Sequence, residues 1–149
     1  LLDGPVRRLA SRPGECVWGP GEGSDRGHRV IVRVWAERPN GDHSGPAMAA
    51  RRFAGERASR AGAEGKVFRK VTGGVTDLTG VGEAAFAQHS FEVFPGPDQG
   101  RMDGVVLLRV SNLLGEVVVH RREVPVKAVA RERERAISAA RVVSAALKP

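Results

Sequence analysis

Val105-Val106-Leu107-Leu108-Arg109-Val110-Ser111-Asn112-Leu113-Leu114-Gly115-Glu116-Val117-Val118-Val119-His120 reads as two β-strands joined at Ser111-Asn112. Aliphatic and β-branched residues fill both arms, and the Ser-Asn pair between them makes a tight connection. In the second arm Val117 and Val119 alternate with Val118 and His120, so both faces are partly apolar. A strand of that kind belongs in the interior of a sheet.

Working upstream, Phe91 to Phe94 predicts another strand, separated from Val105 by the turn-rich Pro95-Gly96-Pro97-Asp98-Gln99-Gly100. Val67 to Val71 predicts one more. Cys16-Val17-Trp18 and Arg29 to Trp35 alternate as strands, and the Gly- and Pro-rich run from Gly19 to Ser24 lies between them as an exposed loop. This pair is expected to be antiparallel. A helix is expected from Pro46 to about Ala61, because proline suits a first helical position. Its inner stripe reads as Ala50, Phe53, Ala54, part of Arg57, Ala58 and Ala61, leaving Arg51, Arg52, Glu56 and Arg60 in water.

Downstream, Pro125 to Leu147 predicts one long amphipathic helix. Val126, Val129, Ala130, Ala136, Ile137, Ala140, Val143 and Leu147 form its apolar positions, with Arg133 the sole interruption. Arg131, Glu132, Glu134, Arg135 and Arg141 are expected in solvent. The order strands, helix, strands, helix implies an α+β fold, a mainly antiparallel sheet packed by an internal helix and a long C-terminal helix.

A chain of 149 residues suits one domain, expected over 1–149. With 41% hydrophobic and 28% charged residues it is expected to fold, and no apolar run approaches the roughly 18 residues a membrane span needs. The first residue is Leu, which points to a processed chain lacking its original N-terminal segment, with no signal peptide left to read.

The net charge is +7, but it is unevenly spread. Residues 1–66 carry 12 basic and 8 acidic groups, 67–120 carry 4 and 6, and 121–149 carry 8 and 3. An anionic partner is therefore expected at the ends of the chain, contacted by Arg121, Arg122, Arg131 and Arg135. The last two lie four apart and should share one exposed helix face, so that reversing both to Glu should spare the fold. Aromatics are 5% with no Tyr, and they fall in strand or helix-core contexts rather than among arginines, which argues against single-stranded nucleic acid.

Enzymatic motifs are sparse. Cys16 is the only cysteine, so the chain has no internal disulfide and no all-cysteine metal site. Its bland reading is a strand cysteine packed beside Trp18. Glu15 in front of it does not suit a lipoprotein cleavage site, which needs a small residue there. His28, His43, His89 and His120 are never at metal-clip spacing. Gly80-Val81-Gly82-Glu83-Ala84-Ala85 matches a relaxed dinucleotide-binding pattern but lacks the flanking strand and helix, so a tight turn before a strand is the better account. No cofactor or metal site is expected. The enzyme alternative is a hydrolase or transferase assembled from separate loops, for example His43, Asp42, His89 and Asp98.

Cys16-x-Trp18, Arg33-Val34-Trp35, Gly80-Val81-Gly82-Glu83-Ala84, Arg109-Val110-Ser111-Asn112-Leu113-Leu114 and the Ala-rich terminal helix together resemble small secreted proteins of actinobacteria, the DUF3558-type lipoproteins. The pattern is also similar to extracellular sensor domains of actinobacterial receptor kinases and, more remotely, to the Mog1/PsbP-like fold. The dominance of Arg, 20 of 24 basic residues, and the scarcity of Ile fit such a source. The resemblance implies a non-enzymatic module, extracellular or in the cell envelope, that binds an envelope protein or anionic polymer. It also leaves room for a structural or sensor domain of a larger protein. Members often begin with a helix and carry a second cysteine; this sequence has neither.

Overall fold

A computed structural model describes residues 6–20, 28–95 and 99–147. At its centre is the hairpin of β8 (Gln99–Val110) and β9 (Leu113–Pro125). Val110 pairs with Leu113 across the Ser111-Asn112 turn, where Ser111 takes a φ of +54°. The pairing then runs from Arg109 opposite Leu114 down to Met102 opposite Arg121. Beyond Met102 a bulge places Arg122 and Glu123 against the single residue Arg101, and Glu123 turns to a φ of +55°.

Outward from this hairpin the sheet grows in both directions. β3 (Arg29–Ala36) pairs with β9, β2 (Glu15–Pro20) with β3, and β1 (Val6–Arg12) with β2. On the other side β7 (Ala84–Val93) pairs with β8, and its outer edge is shared by β5 (Lys70–Thr72) and β6 (Thr76–Leu78). β4 (Gly65–Val67) closes that end. Every pairing is antiparallel. The expected α+β class holds, with β9 in the interior as its double-sided apolar pattern required.

Two helices cover opposite faces. α1 (Gly45–Ala61) is capped by the Ser44 hydroxyl, which accepts from the Ala47 amide, and has Pro46 in its first turn. Its Ala49 and Phe53 pack on Phe86, Leu107 and Leu114, with the Phe53 and Phe86 rings 5.3 Å apart. α2 (Val129–Ala146), entered through a turn of 3₁₀ helix at Val126–Ala128, lays Ala136, Ile137, Ala139 and Ala140 on Val106, Leu108, Val117 and Val119.

The structure corrects several expectations. The inner stripe of α1 is Gly45, Ala49 and Phe53, while Ala50, Ala54, Ala58 and Ala61 are exposed. A helix with alanines on nearly every side offers little contrast from which to choose a face. The stretch Val67 to Val71 is a hairpin rather than one strand, turning at Phe68-Arg69 with Phe68 at a φ of +53°. β1, which no pattern singled out, is exposed along its whole length because it is an edge strand. Arg121 and Arg122 belong to β9, and the helix begins after Ala128 rather than at Pro125. Residues 21–24 of the expected loop lie outside the described residues.

Candidate functional site

Of the four arginines assigned to an anionic partner, three converge on an internal carboxylate. Side chains alternate along β9, so Val117, Val119 and Arg121 all face α2. There Arg121, 7% exposed, brings its Nε to 3.5 Å from Glu132 Oε2. Arg135 Nη1 is 3.0 Å and Arg131 Nε 3.8 Å from Glu132 Oε1. Glu132 was expected in water and is instead 1% exposed. A buried carboxylate is strongly unfavourable unless cations and hydrogen bonds surround it, so these groups clamp the start of α2 onto β9. Arg131 remains largely exposed, and Arg122 points into solvent while its carbonyl accepts from His28 Nε2 at 2.8 Å.

The opposite face of the sheet holds a second constellation. α1 covers only part of that face, and beyond its C-terminal turn opens a recess of about 290 Å³. Lys70, Thr72, Gln88, Ser90, Asp103 and His120 line it, with Arg60 of α1 at its margin. Strand register places Thr72, Ser90, Asp103 and His120 in one row across β5, β7, β8 and β9. His120 Nδ1 donates to Asp103 Oδ1 at 2.7 Å, and Arg101 donates to Asp103 Oδ2 through Nε at 3.0 Å and Nη2 at 2.8 Å. Burial pushes the Asp103 carboxyl up, but the hydrogen bonds from His120 and Arg101 and their charges outweigh it and bring it down to about 2. Gln88 Nε2 donates to the carbonyls of Arg60 and Gly73 and ties α1 to the β5–β6 connection.

The row contains serine, aspartate and histidine in an order that matters. A hydroxyl nucleophile needs the imidazole next to it and the carboxylate behind the imidazole. Here Asp103 lies between Ser90 and His120, and the carboxylate is committed to His120 and Arg101. The arrangement fixes the His120 ring through Nδ1 rather than activating Ser90. Arg60 donates to Glu116 at 3.1 Å, and Glu116 also accepts from Arg33, which in turn donates to Glu15. The Nε of Arg60 is buried with no hydrogen-bond partner among the described residues.

Of the residues of the enzyme alternative, the described ones lie in separate places. Asp42 and His43 are exposed in the turn before α1, where the backbones of Asn40 and His43 pair with each other. His89 is on the face of α2, in a cleft with Val129, Arg133 and Glu134, and burial together with Arg133 pushes its imidazole down. Asp98 lies outside the described residues. Cys16 is half-buried on β2 with its Sγ 3.6 Å from the Ser11 hydroxyl. Gly80 and Gly82 both take positive φ in the turn before β7; a Cβ at Gly82 would meet the Arg109 carbonyl at 2.5 Å. Among the described residues no group of three or more His, Cys, Asp or Glu side chains could hold a metal ion.

The pairing of Asp103 with His120 escaped the motif search because the two are 17 residues apart. A signal existed: once Val110 and Leu113 flank a two-residue turn, counting back along both arms sets residue 103 opposite 120. No family model matches the chain, and no curated protein matches it.

Proposed function

We propose that this protein is a non-enzymatic binding module of an actinobacterial cell envelope, extracellular or held at the envelope, that takes an anionic polymer or the acidic segment of an envelope protein. The observation that carries the reading is the recess beside α1. Its rim offers the Lys70 ammonium, the His120 ring and the hydroxyls of Thr72 and Ser90, with Arg60 at the margin paired to Glu116, while its one carboxylate, Asp103, is paired with Arg101. These polar groups, set beside Ala63, Val105 and Val118, suit a ligand that carries phosphate, sulfate or carboxylate groups. The Arg-rich, Ile-poor composition supports the actinobacterial source, and the net charge of +7 supports the anionic partner. Nucleic acid fits less well, since the recess presents no aromatic platform.

One observation favours a second reading. His120 lines the recess and is held through Nδ1, which reserves Nε2 for the general base of a hydrolase or transferase. Titration calorimetry with soluble polyphosphate, at low and raised salt, addresses both. Wild type is expected to bind with an affinity that falls as salt rises, and Lys70→Ala with His120→Asn to bind about tenfold more weakly or worse. Absence of binding at low salt sinks the module. Turnover of the bound polymer that disappears in His120→Asn transfers the case to the enzyme.

A further inference from the structure

The β4–β5 hairpin is the least satisfied surface of the described chain. Val67 is 78% exposed and Phe68 83%, and Val71 follows at 48%. Both strands are three residues long, and β4 has no neighbour on its outer side. Phe68 is held outward at a positive φ of 53°, a conformation bulky side chains avoid. The ring is 83% exposed, and the Arg69 guanidinium lies over it, 5.1 Å from its centroid. Around these apolar groups Lys66, Arg69 and Lys70 are exposed and make no ion pair among the described residues. Glu64 and Glu92 are the nearby acids of these elements, and Glu92 lies opposite Lys70 in the register.

The same end of the sheet continues the pattern. The Val93 amide donates to the Arg69 carbonyl, and β8 there places Gln99 opposite Pro125 of β9. Val93, 38% exposed, and Val126, 50% exposed, therefore come to the end of the sheet that carries the hairpin, with Lys127 beside them.

We infer that this end is a membrane-contact surface that seats the Phe68 tip in the headgroup region of an anionic lipid bilayer. A stable protein interface requires about 1,000 Å² or more of complementary surface, whereas the apolar groups of this end are the two residues Val67 and Phe68 and the separate side chains of Val71, Val93 and Val126. A bilayer conforms to a protruding tip. Aromatic rings favour its interface, and basic residues at the same depth meet lipid phosphates. The surface adjoins the recess of the proposed function, and the two share Lys70.

Cosedimentation of the whole chain with vesicles of phosphatidylglycerol and phosphatidylcholine in equal parts, and with pure phosphatidylcholine, tests the assignment with Lys70 left unchanged. Wild type is expected to pellet with the anionic vesicles at low salt and to be released as salt rises. Val67→Ser with Phe68→Asn should weaken this about tenfold, since asparagine also tolerates the positive φ. Lys66→Glu with Arg69→Glu should weaken it about thirtyfold or more. A second readout does not depend on how those variants fold: Phe68→Trp should gain emission that brominated-chain lipid quenches, beyond the response of Trp18 and Trp35 in the wild type. The proposal is overturned if wild type stays in the supernatant with anionic vesicles. Pelleting of the hairpin variants like wild type, or an unquenched Trp at position 68, overturns it as well. So does loss in these variants of binding to a protein or to soluble polyphosphate while wild type ignores vesicles.

Discussion

Asp103 shows how a single side chain acquires its character from neighbours on two strands. Its carboxyl titrates at about 2 in the folded chain against an ordinary 3.8, because His120 and Arg101 stabilise the anion more than burial penalises it. The unfolded chain takes up the proton first on acidification. The contribution to stability is therefore complete above about pH 5 and is lost as pH falls from about 4 to about 2, and amounts to about 2 kcal/mol. Asp103→Asn is expected to flatten that acid limb by this amount in urea titrations at successive pH values. An acid limb as steep as that of the wild type would show that the carboxylate is not held as described.

At the scale of elements, ion pairs and not only apolar area decide where the helices lie. α1 buries just Gly45, Ala49 and Phe53, and its flanks are pinned by Arg52 on Glu37, Arg57 on Asp77 and Arg60 on Glu116. For α2 the contact at Glu132 supplements an apolar stripe. Reversal of its arginines, which the sequence alone portrays as harmless, should divide into two outcomes. Arg135→Glu brings a carboxylate against buried Glu132 and is expected to cost about 2–4 kcal/mol. Arg131→Glu, at 3.8 Å and 66% exposed, should cost about 1 kcal/mol or less. Equal urea midpoints for both variants would refute the clamp. This also means that a loss of binding in the Arg135 variant says nothing about an anionic partner until its fold has been checked.

For the whole molecule, burial runs in a gradient from the β8–β9 hairpin to both edges of the sheet. β9 and β8 carry apolar side chains on both faces beneath two helices, whereas β1 is exposed throughout and β4 to β6 are three residues each. Local opening frees little buried surface at such edges. Hydrogen exchange is expected to be slowest in β8, β9 and the β3 and β7 amides that pair with them, and faster by orders of magnitude in β1 and β4. Protection of β1 equal to that of β9 would contradict this gradient. No helix among the described residues is long and apolar enough to cross a membrane. Of the two partner surfaces proposed for the molecule, the recess stands on the protected strands β7, β8 and β9, and the hairpin lies at the weakly protected edge.

By itself the sequence determined the central hairpin, its tight turn, the antiparallel character of the sheet and the existence of both helices. Those features follow from local patterns: β-branched arms around Ser111-Asn112, a proline suited to the first turn of α1, and apolar residues three and four apart in α2. Tertiary structure alone decided which alanines of α1 face inward, because alanine on neighbouring positions gives no amphipathic contrast. It also decided that Val67 to Val71 folds back on itself and that Glu132 is buried. Whether a charged helical residue is solvated or paired depends on what the facing strand places beneath it, and here that is Arg121, 11 residues earlier and on a different element. Periodicity records the identity of a residue and its spacing along one chain segment. The charge that arrives from across the core leaves no mark in it.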